Sequence, residues 1–443
     1  MTKKTPATTV LGSLLGTAIA WVCGLPAYRA GKSGEASMAA VKKSLGWRGV
    51  LGICAAVAVS LFAKPGLAQR AEPCIGASWE MTGPLANTGA SLRIAVETAL
   101  DQINAAGGVL GKPIRLVIYD DVGEPARAVD NARRIGERDN CVIMMGGGRT
   151  PNAIALREPL AEMGLPWMGV ISAGTTVIEH QNGKNEWMFR ISMKDRWVTG
   201  YLIDQAKRRS ASGRIGMVYE GTAWGQGAVP DLEAAAKSAG VTIVAKETWN
   251  LGDQDMSAQM IRLRDAGVDT IILWAVDRES ANMLRSMDRI GYRPKIVSAW
   301  GLTTAFAKAV GPLAEGVMVA GTFNWNGPLS PKAQAAFDAM KAKFPDRIHS
   351  TTDLEVPSGM ANAWDATFVI AEGLKVAGDY DRVKLRDALY RVTYDGIVAT
   401  YNPAFVRGDQ EKMDAILPTA YKLPAFNDGV LKPIEATPYD LRN

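Results

Sequence analysis

Histidine is nearly missing: two residues, His180 and His349, in a chain of 443. Neither stands in a nucleophile or zinc motif, which argues against His-based catalytic triads and the usual zinc hydrolases. Cysteine is sparse as well, at four residues. Long apolar runs are lacking. Val10–Cys23 and Val50–Ala63 are each about 14 residues, short of the roughly 20 that span a bilayer as a helix. No repeat of 20–50 residues and no low-complexity tract breaks the chain. Strong charge is absent too. Residues 1–68 hold eight basic residues against one acidic, so the formal +5 of the whole chain becomes −2 without them. A nucleic-acid partner is therefore not implied.

What is present is an alternation of short apolar runs and amphipathic stretches. Cys74–Trp79 reads as a strand, followed by a loop, Met81–Gly89, that carries Thr82-Gly83-Pro84. From Ser91, Leu92, Ala95, Val96, Ala99, Leu100 and Ile103 recur at helical spacing. Asn104 to Gly108 ends that helix, and Ile114–Tyr119 returns as a strand closing on Asp120-Asp121. Further strands are expected at Cys141–Met145, Pro166–Ile171 and Glu186–Ile191. A second series follows at Arg214–Tyr219, Val241–Thr248, Thr270–Ala275 and Lys295–Ser298, with helices between. The fold class is α/β, with two doubly wound, Rossmann-like lobes of parallel strands joined by a hinge.

The stretch from Met81 to Asp121, MTGPLANTGASLRIAVETALDQINAAGGVLGKPIRLVIYDD, resembles the opening of the type I periplasmic binding proteins, the leucine/isoleucine/valine-binding class of ABC-importer receptors. The (S/T)GP loop, the N-A-x-G-G-like helix end and the G-K-x-(I/L) strand ending in Asp-Asp carry the likeness, which runs to about Val430. It implies an extracytoplasmic solute-binding protein, not an enzyme and without a cofactor, that delivers a small molecule to permease subunits. It further implies lobes of residues 72–192 with 324–413 and of 193–323 with 414–443, joined by three hinge strands. The alternative is a ligand-sensing receptor of the same fold acting with a separate membrane partner.

Residues 1–71 read as a leader. Lys42, Lys43 and Arg48, the apolar run from Val50, and Gly66-Leu67-Ala68 have the layout of a secretory signal, with Met38 as the economical start. A tandem leader beginning at Lys3 and Lys4 is the rival. Removal of the signal would put the protein in the periplasm with two cysteines, Cys74 and Cys141, each at the start of a strand. In that oxidising compartment they form either a disulfide or two separate buried thiols.

Ligands of α/β sheets bind where strands end and helices begin, because free N–H groups and helix dipoles gather there. Four junctions stand out: Thr82 to Gly89 with Thr88, Gly146 to Thr150, Ser172 to Thr176, and Gly221 to Gly227. The resemblance assigns a ligand carboxylate to Gly148, Arg149 and Thr150, and to Ala173, Gly174 and Thr175. Arg149 stands where small hydroxyl residues are usual, and either reaches the ligand or points to solvent. Trp224 is expected as a pocket wall. Trp300 replaces the acidic residue that amino-acid binders hold for an ammonium. Asp277 either substitutes for that acid or caps a helix. With Trp79 nearby, these residues describe a pocket for a small carboxylate or amide, and because Trp300 leaves an ammonium without an acid they argue against a zwitterion and favour a hydrophobic or aromatic carboxylate over an amino acid such as leucine. Asp120-Asp121 reads as turn capping rather than a metal or catalytic pair. The Gly221-x-x-x-Gly225-x-Gly227 loop with Tyr380 and Lys384 imitates a short-chain dehydrogenase, but about five strands precede it.

Overall fold

The computed structural model describes residues 72–179 and 185–441. The leader and its cleavage site, and His180, lie outside them. The first sheet contains β1 (Cys74–Trp79), β2 (Arg115–Asp120), β3 (Ile143–Met145), β4 (Trp167–Gly169) and β5 (Met188–Arg190). They pair in parallel in the order β2-β1-β3-β4-β5. The second sheet has β6 (Ile215–Glu220), β7 (Ile243–Trp249), β8 (Thr270–Trp274), β9 (Lys295–Ser298) and β10 (Met318–Val319). Its parallel part runs β7-β6-β8-β9-β10, the same winding as the first. A small hairpin, β11 (Tyr394–Asp395) with β12 (Thr400–Tyr401), stands apart. Strands β13 (Ala425–Asn427) and β14 (Val430–Lys432) extend the second sheet in antiparallel sense.

Central strands are buried on both faces by helices, so β1 and β8 are apolar without alternation. The helix Ala86–Ala105 begins five residues before the start read from periodicity, because Ala86 to Ala90 are too small and polar to show a stripe. From Leu92 to Ile103 its apolar residues are buried as expected. It ends with Gly107 at φ 101° and the Gly108 N–H bonded back to Ile103 O at 2.9 Å. Between β3 and β4 stand two helices rather than one, Thr150–Ala155 and Arg157–Met163, broken at Leu156. The helix Asp195–Arg209 packs on β8 and β9, whereas Pro331–Lys343 and Pro357–Ala377 pack back on Ala86–Ala105. The chain therefore passes between the sheets three times. Two passages are stitched where Arg190 bridges Asp414, and two where Gly321 bridges Lys422.

Cys74 and Cys141 are bonded as a disulfide, their Cα atoms 4.6 Å apart. It clamps the lower edge where β1 and β3 lie side by side, and the Val142 N–H donates to Cys74 O at 2.9 Å beside it. No helix among the described residues is long and apolar enough to cross a membrane.

Candidate functional site

Each sheet reverses its winding next to its first strand, between β1 and β3 and between β6 and β8. Crevices open at the strand C-termini of such switch points. The same kind of residue ends both first strands. Glu80 follows β1 and Glu220 closes β6, in the segments Ile75-Gly76-Ala77-Ser78-Trp79-Glu80 and Ile215-Gly216-Met217-Val218-Tyr219-Glu220. Neither glutamate was singled out from the sequence. The recurring Ile-Gly-x-x-aromatic-Glu pattern was the signal that could have found them.

Glu80 is 5% exposed and holds Arg149 in a two-point pair, Nε to Oε2 at 2.6 Å and Nη2 to Oε1 at 3.1 Å. Of the two alternatives for Arg149, reaching a ligand or solvent, the structure shows neither: the guanidinium is closed on Glu80. Burial opposes its charge and Glu80 more than offsets that, so its pKa is raised. Gly123, at φ +78°, passes directly over the pair. A Cβ there would lie 2.6 Å from Arg149 Nε and 2.7 Å from Glu80 Oε2.

Glu220, 4% exposed, is bonded to no cation among the described residues. The Thr222 hydroxyl donates to Oε1 and the Val276 N–H approaches the carboxylate, while Oε2 has no hydrogen bond of full geometry among the described residues. Burial raises its pKa, and the Thr222 hydroxyl, the charge of Arg149 and the Val276 N–H only partly oppose that. Trp224 lies in the first turn of the helix Ala223–Ser238, half-buried, its ring 5.9 Å from that of Trp274. Close approach is built in here: a Cβ on Gly301, the neighbour of half-buried Trp300, would come within 3.0 Å of the Trp224 ring.

The third junction is engaged within the protein. The Thr175 hydroxyl, assigned to a ligand carboxylate by the resemblance, donates to Asp231 Oδ2 at 2.6 Å and accepts from the Arg196 N–H at 3.0 Å. The Gly174 N–H donates to Thr150 Oγ1 at 3.3 Å, and Ala173 O accepts from the Asp195 N–H at 2.9 Å. Gly148 and Thr88 are neighbours, with 3.4 Å between a Cβ built on Gly148 and the Thr88 methyl. Asp195, 2% exposed, has its pKa pushed up to about 8 by burial, against the pull of Arg190 and of the Trp224 N–H.

Three expectations change. Trp79 is not at the cleft mouth: it is wholly buried, its indole N–H donating to Gly146 O at 3.3 Å, because β1 is covered on both faces. Asp277 neither caps its helix nor stands open. Its Oδ1 accepts from the Thr303 N–H at 2.7 Å and its Oδ2 from the Thr303 hydroxyl at 2.6 Å, tying the loops after β8 and β9 together. Burial raises it to about 6, opposed by those bonds. Arg149, described above, is the third. Asp120 and Asp121 serve as turn acceptors, for the Met81 and Val122 N–H groups and for the Gly123 N–H respectively. His349 is exposed, 3.8 Å from Asp353.

Two sheets of identical winding, crossed three times by the chain and meeting at their switch points around buried carboxylates, an arginine and indoles, define a two-lobed α/β binding protein. The chain belongs to the periplasmic binding protein family, whose profile matches residues 74–416, and is a solute-binding protein of that family. It is 27% identical over 367 residues to the leucine-, isoleucine-, valine-, threonine- and alanine-binding protein of Pseudomonas aeruginosa, covering 81% of this chain and 92% of that one. It is 26% identical over 314 residues to Leu/Ile/Val-binding protein homolog 3 of Brucella melitensis, covering 71% and 82%. A periplasmic binding protein type 1 from Bordetella pertussis superposes with a TM-score of 0.72 at 26% identity, over 82% of this chain and all of that one. The fold is also that of LivJ from Streptococcus pneumoniae, solved with isoleucine, at TM-score 0.70, 20% identity and 81% and 97% coverage.

Proposed function

We propose that this protein captures a small carboxylate- or amide-bearing solute between its lobes and delivers it, in the periplasm, to the permease subunits of an ABC importer. The lobes are residues 72–192 with 324–413 and residues 193–323 with 414–443. The observation that carries the reading is Glu220: a buried carboxylate with an open oxygen, beside Trp224 and within the field of Arg149. A buried carboxylate oxygen short of a donor is costly, and a solute N–H or ammonium would supply one. Trp300 had argued against a zwitterion because it left the pocket without an acid; Glu220 removes that objection. The solute is therefore an amino acid or an amide, its nitrogen on Glu220 and its apolar body on Trp224 and Trp300. The relatives that bind leucine, isoleucine and valine by name support this class.

A thermal-shift panel of aliphatic and aromatic amino acids, amides, urea and nitrogen-free aromatic acids tests it. A ligand at about 100 times its Kd stabilises by about 2.7 kcal/mol. A nitrogen-bearing solute should stabilise the wild type and lose that effect in Glu220→Gln. Stabilisation only by acids without nitrogen, undiminished in the variant, would overturn the assignment.

A further inference from the structure

The two sheets repeat one another residue by residue at their switch points. Ile75, Gly76 and Ala77 of β1 lie against Ile143, Met144 and Met145 of β3, and Ile215, Gly216 and Met217 of β6 lie against Thr270, Ile271 and Ile272 of β8. Counted forward in that register, Glu80 corresponds to Glu220 and Arg149 to Val276. Both of the latter are the last extended residue before a helix: Arg149, at φ −99°, precedes Thr150–Ala155, and Val276, at φ −101°, precedes Asp277–Arg289. The crowding around the glutamates repeats as well. A Cβ on Gly89 would fall 2.3 Å from Glu80 O, and one on Gly225 would fall 2.0 Å from Glu220 O.

What does not repeat is the cation. Glu80 Oε1 accepts from a local donor, the Leu85 N–H at 2.9 Å, and the Arg149 fork then closes on both carboxylate oxygens. Glu220 Oε1 likewise accepts from a local donor, the Thr222 hydroxyl, and the Val276 N–H approaches the carboxylate. Valine carries no fork, however, and the buried Oε2 keeps no hydrogen bond of full geometry among the described residues. Arg278, the arginine nearest in the chain, lies 3.6 Å from Glu279 Oε1 instead. Arg149 acts on Glu220 through its charge, its Nε and Nη2 being engaged by Glu80. A carboxylate placed like one that holds a guanidinium at two points, but lacking that guanidinium, favours a planar fork over a compact ammonium, because the fork meets both oxygens along one edge. The indole of Trp224, in the first turn of the helix after Glu220, adds a face on which a guanidinium plane stacks.

Resting on the proposal that a solute nitrogen meets Glu220, we infer that this nitrogen belongs to a guanidino group, which takes the place beside Glu220 that Arg149 takes beside Glu80, and that Val276 sets this specificity by leaving the place open. Among amino acids, the solute is then one with a guanidino side chain.

Titration calorimetry of the full exported chain with L-arginine, L-lysine and L-leucine tests it. Arginine should bind at least tenfold more tightly than lysine or leucine, and Glu220→Gln should weaken arginine at least tenfold. Val276→Arg, which supplies the missing fork from within, should abolish arginine binding and raise the melting temperature of the solute-free protein. Adding Glu220→Gln to that variant should remove the rise, which the filling of space alone would not do. If Val276→Arg fails to fold, the comparison of arginine with lysine and the Glu220→Gln variant decide. Lysine or leucine bound as tightly as arginine and weakened by Glu220→Gln would leave the solute nitrogen on Glu220 and overturn the guanidino group. Binding of every solute indifferent to Glu220→Gln would overturn both. No binding of arginine to the wild type, or undiminished binding in Val276→Arg, would also overturn the inference.

Discussion

Removing one carboxylate from the crossover between the sheets should destabilise the whole protein. Arg190 and Asp414 are wholly or nearly wholly buried, and Arg190 Nε donates to Asp414 Oδ1. Lys194, also fully buried, lies 3.7 Å from Asp414 Oδ2. Arg190 Nη1 further donates to Ser172 O at 3.1 Å and Gly174 O at 2.9 Å, so this cluster shapes the third junction as well as the crossover. Asp414→Ala leaves a buried guanidinium and a buried ammonium short of a partner. Breaking a buried pair this way costs about 3–5 kcal/mol. An unfolding entropy of about 2.1 cal/mol/K per residue, over the roughly 370 residues from Glu72 to Asn443, converts that to a fall in Tm of about 4–6 °C. Calorimetry and urea titration of wild type and variant measure it. The exposed Lys384–Asp379 pair is the internal control, and Asp379→Ala should leave the midpoint in place. An Asp414→Ala protein as stable as the wild type would refute the reasoning, because it would mean the buried cations do not need that carboxylate.

The Cys74–Cys141 bond closes a separation of 67 residues, and the chain-entropy argument gives it about 4 kcal/mol. A Cys74→Ser/Cys141→Ser protein should unfold at correspondingly lower urea, and intact-mass analysis of unreduced protein should find no alkylatable thiol; equal stability or two free thiols would count against the bond. Asp195 sets a pH trend. Held protonated in the folded protein to about 8 but ionised from near pH 4 when unfolded, it contributes stability below pH 4 that is lost as pH rises through 8, at up to about 1.4 kcal/mol per unit. Asp195→Asn should therefore gain on the wild type between pH 5 and pH 8 in urea titrations; a widening lead for the wild type would reverse the sign of the argument.

The order of strands and helices was largely legible, because apolar periodicity and turn residues are local signals. Where they failed, the residues were ambiguous: Ala86 to Ala90 show no stripe, and nothing around Leu156 announces a break. The junctions were legible by position, through their glycines and hydroxyl residues. Their bonding was not. Arg149 and Glu80 are 69 residues apart, and Thr175 and Asp231 are 56 apart, so no local spacing reports either contact. Glu80 and Glu220 read individually as ordinary polar residues at a strand end; the shared Ile-Gly-x-x-aromatic-Glu pattern hints at their kinship, and the repeated winding of the two sheets makes them equivalent. Arg190 and Asp414, separated by 224 positions, left no trace in the sequence that spacing could recover.

The structure of the protein with the solute that most stabilises it tests the central claim most directly. The account predicts that solute between the lobes, its nitrogen within hydrogen-bond distance of Glu220 and its apolar part against Trp224 and Trp300. Density for the solute outside the cleft, or in the cleft with Glu220 facing no donor, would contradict it.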